Sequence, residues 1–196
     1  ISDNGPVSAF KLDELAEAAL AQAAGKGDVK ASENFDSILV RGDLYKKFPL
    51  EKQLDVHARH INSLSRLGRH EDVVRFSNQA LLKFGARTEF GNKIFRIKEQ
   101  RAEALYDSGD HKGSVEATAE LLKAEPKPKD FHQTEFEFKQ AQSLRKLGRD
   151  EEALKTFQKV AKSTVDDVWK KSAQAELDQL QWENSLPTQT DRRSKQ

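Results

Sequence analysis

Apolar residues recur at helical spacing along most of the chain, and short polar segments carrying one glycine interrupt them. The clearest stretch runs from Phe136 to Ala161. Ala141, Leu144 and Leu147 step along one face, with Phe138 one turn upstream. After Gly148, residues Ala153, Leu154, Phe157, Val160 and Ala161 do the same. This i, i+3, i+4 spacing predicts two helices, each with one buried face. A helix ending at Leu147 needs a following residue that tolerates left-handed backbone, and Gly148 does so without Cβ strain. Asp150 is placed to cap the second helix, with Glu151 and Glu152 complementing its first-turn dipole. A three-residue connection makes the two helices antiparallel neighbours.

The same grammar repeats. Turn signals stand at Gly27-Asp28, Gly68-Arg69, Gly109-Asp110 and Gly148-Arg149-Asp150, so successive glycines lie 41, 41 and 39 residues apart. Leu12, Leu15, Ala16, Ala19 and Leu20 precede the first, and Ala31, Phe35, Ile38 and Leu39 follow it. Ile61, Leu64 and Leu67 precede the second, and Val73, Val74, Ala80 and Leu81 follow. Ala102 and Leu105 precede the third, and Val115, Ala119, Leu121 and Leu122 follow, with Pro126 closing the unit. A last helix, about 165–185, carries Val165, Val168, Trp169, Ala173, Leu177 and Leu180 on one face and has no second helix after it. Arg41–Phe48 breaks the regularity, and Pro49 suits the first turn of the helix beyond. Residues 1–7 form an N-terminal extension and 8–186 one repeat domain. We expect residues 187–196 to be a flexible polar tail unless a partner orders it, since it has no apolar side chain to bury.

Ala141-x-x-Leu144-x-x-Leu147-Gly148-x-x-x-x-Ala153-x-x-x-Phe157 resembles the tetratricopeptide repeat (TPR), and Ala102, Leu105, Gly109 and Pro126 match a second unit in part. In that family the small residue lets the two helices of a hairpin approach, the glycine turns the chain, the second Ala packs at the crossing and the aromatic fills the gap to the next hairpin. The resemblance covers roughly residues 8–164, with 165–185 as the capping helix. It implies an all-α, right-handed α-solenoid of about four helix-turn-helix (TPR-like) repeats plus a C-terminal capping helix. The units depart from the family in length, being near 40 residues. They also depart in having Val73 and Ser114 at the crossing position and in the large aromatic usual early in the first helix, which is missing or displaced. HEAT-like helical pairs are the structural alternative.

Composition narrows the function. Lys and Arg number 33 against 32 Asp and Glu, a formal charge of +1, with 33% of residues charged. Balanced, interspersed charge is the wet face of amphipathic helices. It lacks the clustered basic footprint of nucleic-acid binding and favours a protein partner. There is no Cys, which excludes disulfides, thiolate metal sites and a cysteine nucleophile. No apolar run approaches the ~20 residues of a membrane-spanning helix, so we expect a soluble chain without direct membrane insertion. There is no Met and position 1 is Ile, which we read as a processed protein or a piece of a longer one. The sequence does not identify the compartment, which is open between the cytoplasm and, where a signal peptide has been removed, the periplasm.

Catalytic and metal chemistry finds little support. His57 and His60 lie three apart and His70 opens the next helix, but zinc asks for three or four ligands; we expect ordinary surface or interface histidines and no metal. Ser143-Leu-Arg-Lys146 has the Ser-x-x-Lys spacing of serine acylases without the accompanying motifs. Gly25-Lys-Gly27 lacks the rest of a phosphate loop, and Arg41-Gly42-Asp43 reads as a helix stop with a polar turn. Glu99 and Glu103 are like charges at i, i+4, which either Arg96 or a partner must offset. Trp169 belongs to the capping stripe, whereas Trp182 falls off it and is a contact candidate. We therefore expect no enzyme activity, no catalytic residues and no cofactor.

Stacked hairpins offer the outward side chains of their first helices as a preorganised surface for a peptide or helix. The resemblance implies a concave, partner-binding face made of Arg59, Asn62 and Arg66 in the second unit, Arg96, Glu99, Glu103 and Tyr106 in the third, and Phe138, Gln142 and Arg145 in the fourth. Asn62 alone fits the Lys/Asn clamp that some family members use for a C-terminal carboxylate. The expected function is a protein–protein interaction scaffold or adaptor holding an extended or helical segment of a partner. A regulatory or sensor module of a larger multidomain protein is one alternative. A structural, self-associating or cell-envelope assembly subunit, and with it a homo-oligomer, is the other. On this reading Tyr106 and Arg145 are replaceable together without loss of the fold.

Overall fold

The computed structural model describes residues 18–19, 27–40, 45–165 and 168–185. Among them run eight α-helices: α1 (Asp28–Val40), α2 (Leu50–Arg66), α3 (His70–Phe84), α4 (Gly91–Asp107), α5 (His111–Lys123), α6 (Gln133–Lys146), α7 (Asp150–Ala161) and α8 (Val168–Ser185). A 3-10 turn, Thr88–Phe90, leads into α4. The expected front helix lies outside the described residues apart from Ala18 and Ala19, as do Arg41-Gly42-Asp43 and the polar tail.

Three glycines make the hairpins. Gly68, Gly109 and Gly148 sit at φ 68°, 78° and 72°, in the left-handed region that only glycine enters without strain. After α6 the Gly148 amide donates to the Arg145 carbonyl and the Arg149 amide to Leu144, each at 3.0 Å, which satisfies carbonyls the helix end would otherwise orphan. The same pair of bonds follows α2, from Gly68 to Ser65 and from Arg69 to Leu64. Each hairpin connection is three residues: 67–69, 108–110 and 147–149. The expected cap at Asp150 is not formed. Asp150 is the first helical residue, Arg149 holds the cap position without a capping bond, and its guanidinium reaches Glu152 at 2.7 Å. Asp110 does cap α5, accepting from the Gly113 amide at 2.9 Å.

Each helix packs on the next, and the first helices α2 and α4, and likewise α6 and α8, also pack on one another. This nearest-neighbour layering is the solenoid arrangement. Among the described residues the repeats exceed the usual length because the connectors between hairpins are long: 85–90 and 124–132. Ala141, Ala153 and Phe157 are fully buried where α6, α7 and α8 meet, as the spacing predicts. The two departures at the crossing position are absorbed. Val73 is fully buried, and Ser114 is satisfied by Ser143, whose hydroxyl donates to it at 3.2 Å.

Two expectations fail on burial. His57 and His60 belong to the interior: His60 lies against Phe76 at 4.3 Å between ring centroids, and His57 sits between Tyr45 and Phe84 at 5.7 and 5.9 Å. Val165 and Val168 lie exposed at the start of the capping segment, while Ala173, Leu177 and Leu180 carry the packing. Trp169 packs beside Phe138 at 5.4 Å as expected, and Trp182 is largely exposed.

Candidate interaction surface

The expected site residues ride on the first helices α2, α4 and α6, which are anchored in the core by Ile61, Leu64, Ile97 and Ala141. The structure divides most of them between two separate clefts. The first, about 700 Å³, lies between α2 and α4 and is walled on its far side by Pro128–Asp130, part of the long connector after α5. Arg59, Asn62, Arg96 and Glu99 line it together. Its charges are mostly paired within the protein. Lys93 bridges Asp55 at 2.6 Å and Glu51 at 3.2 Å, and Arg96 bridges Glu99 at 2.6 Å and Asp130 at 2.5 Å. The hydrogen bond it donates to Glu99 is the main reason the Arg96 guanidinium is held even above its ordinary pKa. Arg59 is exposed and has no hydrogen-bond or ion-pair partner among the described residues.

The second cleft, about 750 Å³, is lined by Tyr106, Gln142 and Arg145 together with Glu176 and Gln179 of α8. Here the expected residues bond to one another and to the capping helix. The Tyr106 hydroxyl donates to Gln142 Oε1 at 2.5 Å, and Gln142 Nε2 donates to Glu176 at 3.3 Å. Arg145 donates to Glu176 at 2.5 Å and to both carboxylate oxygens of Glu183 at 2.9 Å. Burial works against the Arg145 charge, but the two glutamates outweigh it and raise its pKa. Burial likewise raises that of the Tyr106 phenol. These contacts span α4, α6 and α8, so Tyr106 and Arg145 bear on the fold as well as on the surface.

Between the clefts stands Lys139, a buried lysine that helical spacing did not single out. It bonds Glu135 at 2.7 Å and Glu103 at 3.1 Å, and its ammonium lies 5.6 Å from the ring centres of both Tyr106 and Phe136. Desolvation opposes its charge, yet the hydrogen bond to Glu135 and the field of Glu103 keep its pKa raised. The like-charged Glu99 and Glu103 are thus each neutralised from a different side, by Arg96 on α4 and by Lys139 on α6.

Besides Glu103, two more expected residues line neither cleft. Arg66 turns to the start of α1, where it makes a bidentate pair with Asp28, and it also donates to Asn62 at 2.9 Å. Phe138 is a correction: it is 5% exposed and packs between Phe157 at 5.6 Å and Trp169 at 5.4 Å. Its place in the apolar stripe decides its fate, because α8 covers that side of α6. Sequence reasoning missed Asp130, Lys129, Glu176 and Glu183. They come from a connector and a helix some 30 to 40 residues away, and no local spacing signals them.

Among the described residues no three His, Asp or Glu side chains gather as a metal-binding group, and no helix is long and apolar enough to cross a membrane. No protein-family model and no curated protein matches the sequence. Two crystal structures do match in backbone. One is of nearly identical TPR-like repeats from a Podosopora anserina protein assigned as a kinesin light chain, with a TM-score of 0.59 and 14% identity over 88% of this chain and 86% of that one. The other is a variant of the same repeats, with a TM-score of 0.60 and 14% identity over 88% and 85%. At this identity the likeness is one of fold. Glycine-turned helix pairs stacked in order, and these neighbours, make the chain a TPR-like helical-repeat protein in fold, an all-α solenoid.

Proposed function

We propose that the chain is a protein-interaction scaffold that holds an extended or helical segment of a partner protein in the cleft between α2 and α4. The observation that supports this reading most is the gathering of Arg59, Asn62, Arg96 and Glu99 around one cleft of about 700 Å³ on helices anchored in the core. Side chains on rigid elements bind a segment with little ordering cost to the receptor. Partner contact is assigned to those four residues. Tyr106, Gln142 and Arg145 serve chiefly to hold the capping helix, with Glu103 joined to Lys139 between the two regions.

The test is to fill the cleft. Gln100→Trp places a bulky ring among its lining residues, and Leu82→Glu alters an exposed position on α3. A photo-cross-linking residue at position 62 should capture a linear peptide of a partner in the wild type and in the Leu82→Glu protein, and lose it in the Gln100→Trp protein at unchanged melting temperature. Capture that survives the filled cleft would exclude this surface.

A further inference from the structure

The charges of the first cleft are unequally engaged. Its three lining carboxylates, Asp55, Glu99 and Asp130, all have cationic partners within the protein. Two of its cations, Arg59 and Lys129, are exposed and have none among the described residues. The cause is visible for Arg59. Asp55 lies one turn before it on α2, at the i, i+4 spacing where an acid and a base ordinarily pair. Lys93 of α4 instead draws Asp55 away at 2.6 Å, and the guanidinium of Arg59 is left with its five donors unspent on other side chains.

We propose that this cleft takes an internal acidic segment of a partner protein, with Arg59 and Lys129 pairing its carboxylates and the Asn92 and Gln100 amides bonding its backbone. The proposal rests on the reading of the cleft as the partner site. An incoming acid meets two uncommitted cations, whereas an incoming base must compete with Arg96, shared by Glu99 and Asp130, and with Lys93 on Asp55; the lining, four cations against three carboxylates, favours an acid. Arg59 stands on α2 and Lys129 on the connector that forms the far wall. Two cations on separate walls suit two side-chain carboxylates along a segment better than a single terminal carboxylate. Arg59 adds geometry to charge, because its planar fork accommodates a carboxylate in a bidentate manner.

The experiment is a selection of short random peptides, displayed internally between fixed flanks, on the full chain and on Arg59→Gln, Arg59→Glu/Lys129→Glu and Gln100→Trp proteins. The wild type should enrich sequences with two or more Asp or Glu. Synthetic versions with both ends blocked should bind Arg59→Gln about tenfold or more weaker, the loss of one charge-assisted contact. The doubly reversed protein should prefer neutral or basic peptides, and neither change should move the melting temperature. Enrichment of neutral or apolar peptides that Gln100→Trp abolishes would overturn the acidic assignment and leave the partner site standing. Peptides that bind Gln100→Trp as well as the wild type, or no enrichment at all, would overturn both. Heparin or an oligonucleotide bound as tightly as the peptides, with the same dependence on Arg59, would overturn the proposal in favour of a general polyanion surface.

Discussion

The Tyr106 hydroxyl donates to Gln142 Oε1 at 2.5 Å, tying the third hairpin to the fourth through two side chains 36 residues apart. Gln142 passes the link to Glu176, and Arg145 fastens Glu176 and Glu183 from the same side. The tie changes what mutations here report. Tyr106→Phe should lower stability by about 1 kcal/mol, the net worth of one hydrogen bond. Arg145→Ala should cost about 1 kcal/mol as well, a partly exposed ion pair being worth little more. Hydrogen exchange should accelerate in α8 before any other helix. Equal exchange throughout the chain would show that the network does not hold the cap.

Phe138→Ala should destabilise by about 3–5 kcal/mol, the usual consequence of emptying a buried aromatic site. Its ring separates Phe157 from Trp169, so the fluorescence of Trp169 should shift toward that of exposed indole. A variant of wild-type stability and spectrum would return Phe138 to the surface.

Gly148→Ala should cost about 1–2 kcal/mol, the strain of a left-handed L-residue. No atom lies within 4 Å of the added Cβ, so the cost is conformational and not steric. Gly148→Asn, which tolerates that backbone better, should recover part of it. Chemical denaturation of both variants measures the difference.

Acid should destabilise the front of the domain. Burial holds the His57 and His60 pKa values down at about 4 and about 3, against an ordinary 6.5. Nearby positive groups add to this: Lys83 for His57, and His57, Arg69 and Arg75 for His60, with Asp72 opposing. Below 6.5 the unfolded chain therefore binds more protons than the folded one, and stability falls as pH drops toward 3. The slope is at most about 1.4 kcal/mol per pH unit for each ring. Asp36, 3.4 Å from His60, has its carboxyl pushed upward by burial and offsets a little at the acid end. Denaturation midpoints at pH 7.5 and pH 5 should differ, and His57→Leu/His60→Leu should flatten the difference. A pH-independent wild type would contradict the buried, neutral assignment.

The helices and their turns were legible in the residues because they rest on local physics. Helical periodicity marks Ala153, Phe157 and Val160 as one face whatever lies opposite. A glycine after Leu67, Ser108 or Leu147 ends a helix by its own backbone freedom. What lies across each face was decided by the tertiary structure. Phe138 and Gln142 sit one turn apart on α6, yet α8 buries the first and bonds the second. His57 and His60 look like surface residues on a charged helix until Tyr45, Phe76 and Phe84 close over them. Arg59 pairs with Asp55 by spacing and loses it to Lys93, a residue of the next repeat. Spacing along one helix reports which residues share a side. Only the packing of neighbouring repeats and of the connector at Pro128–Asp130 settles whether that side is core, ion pair or open cleft.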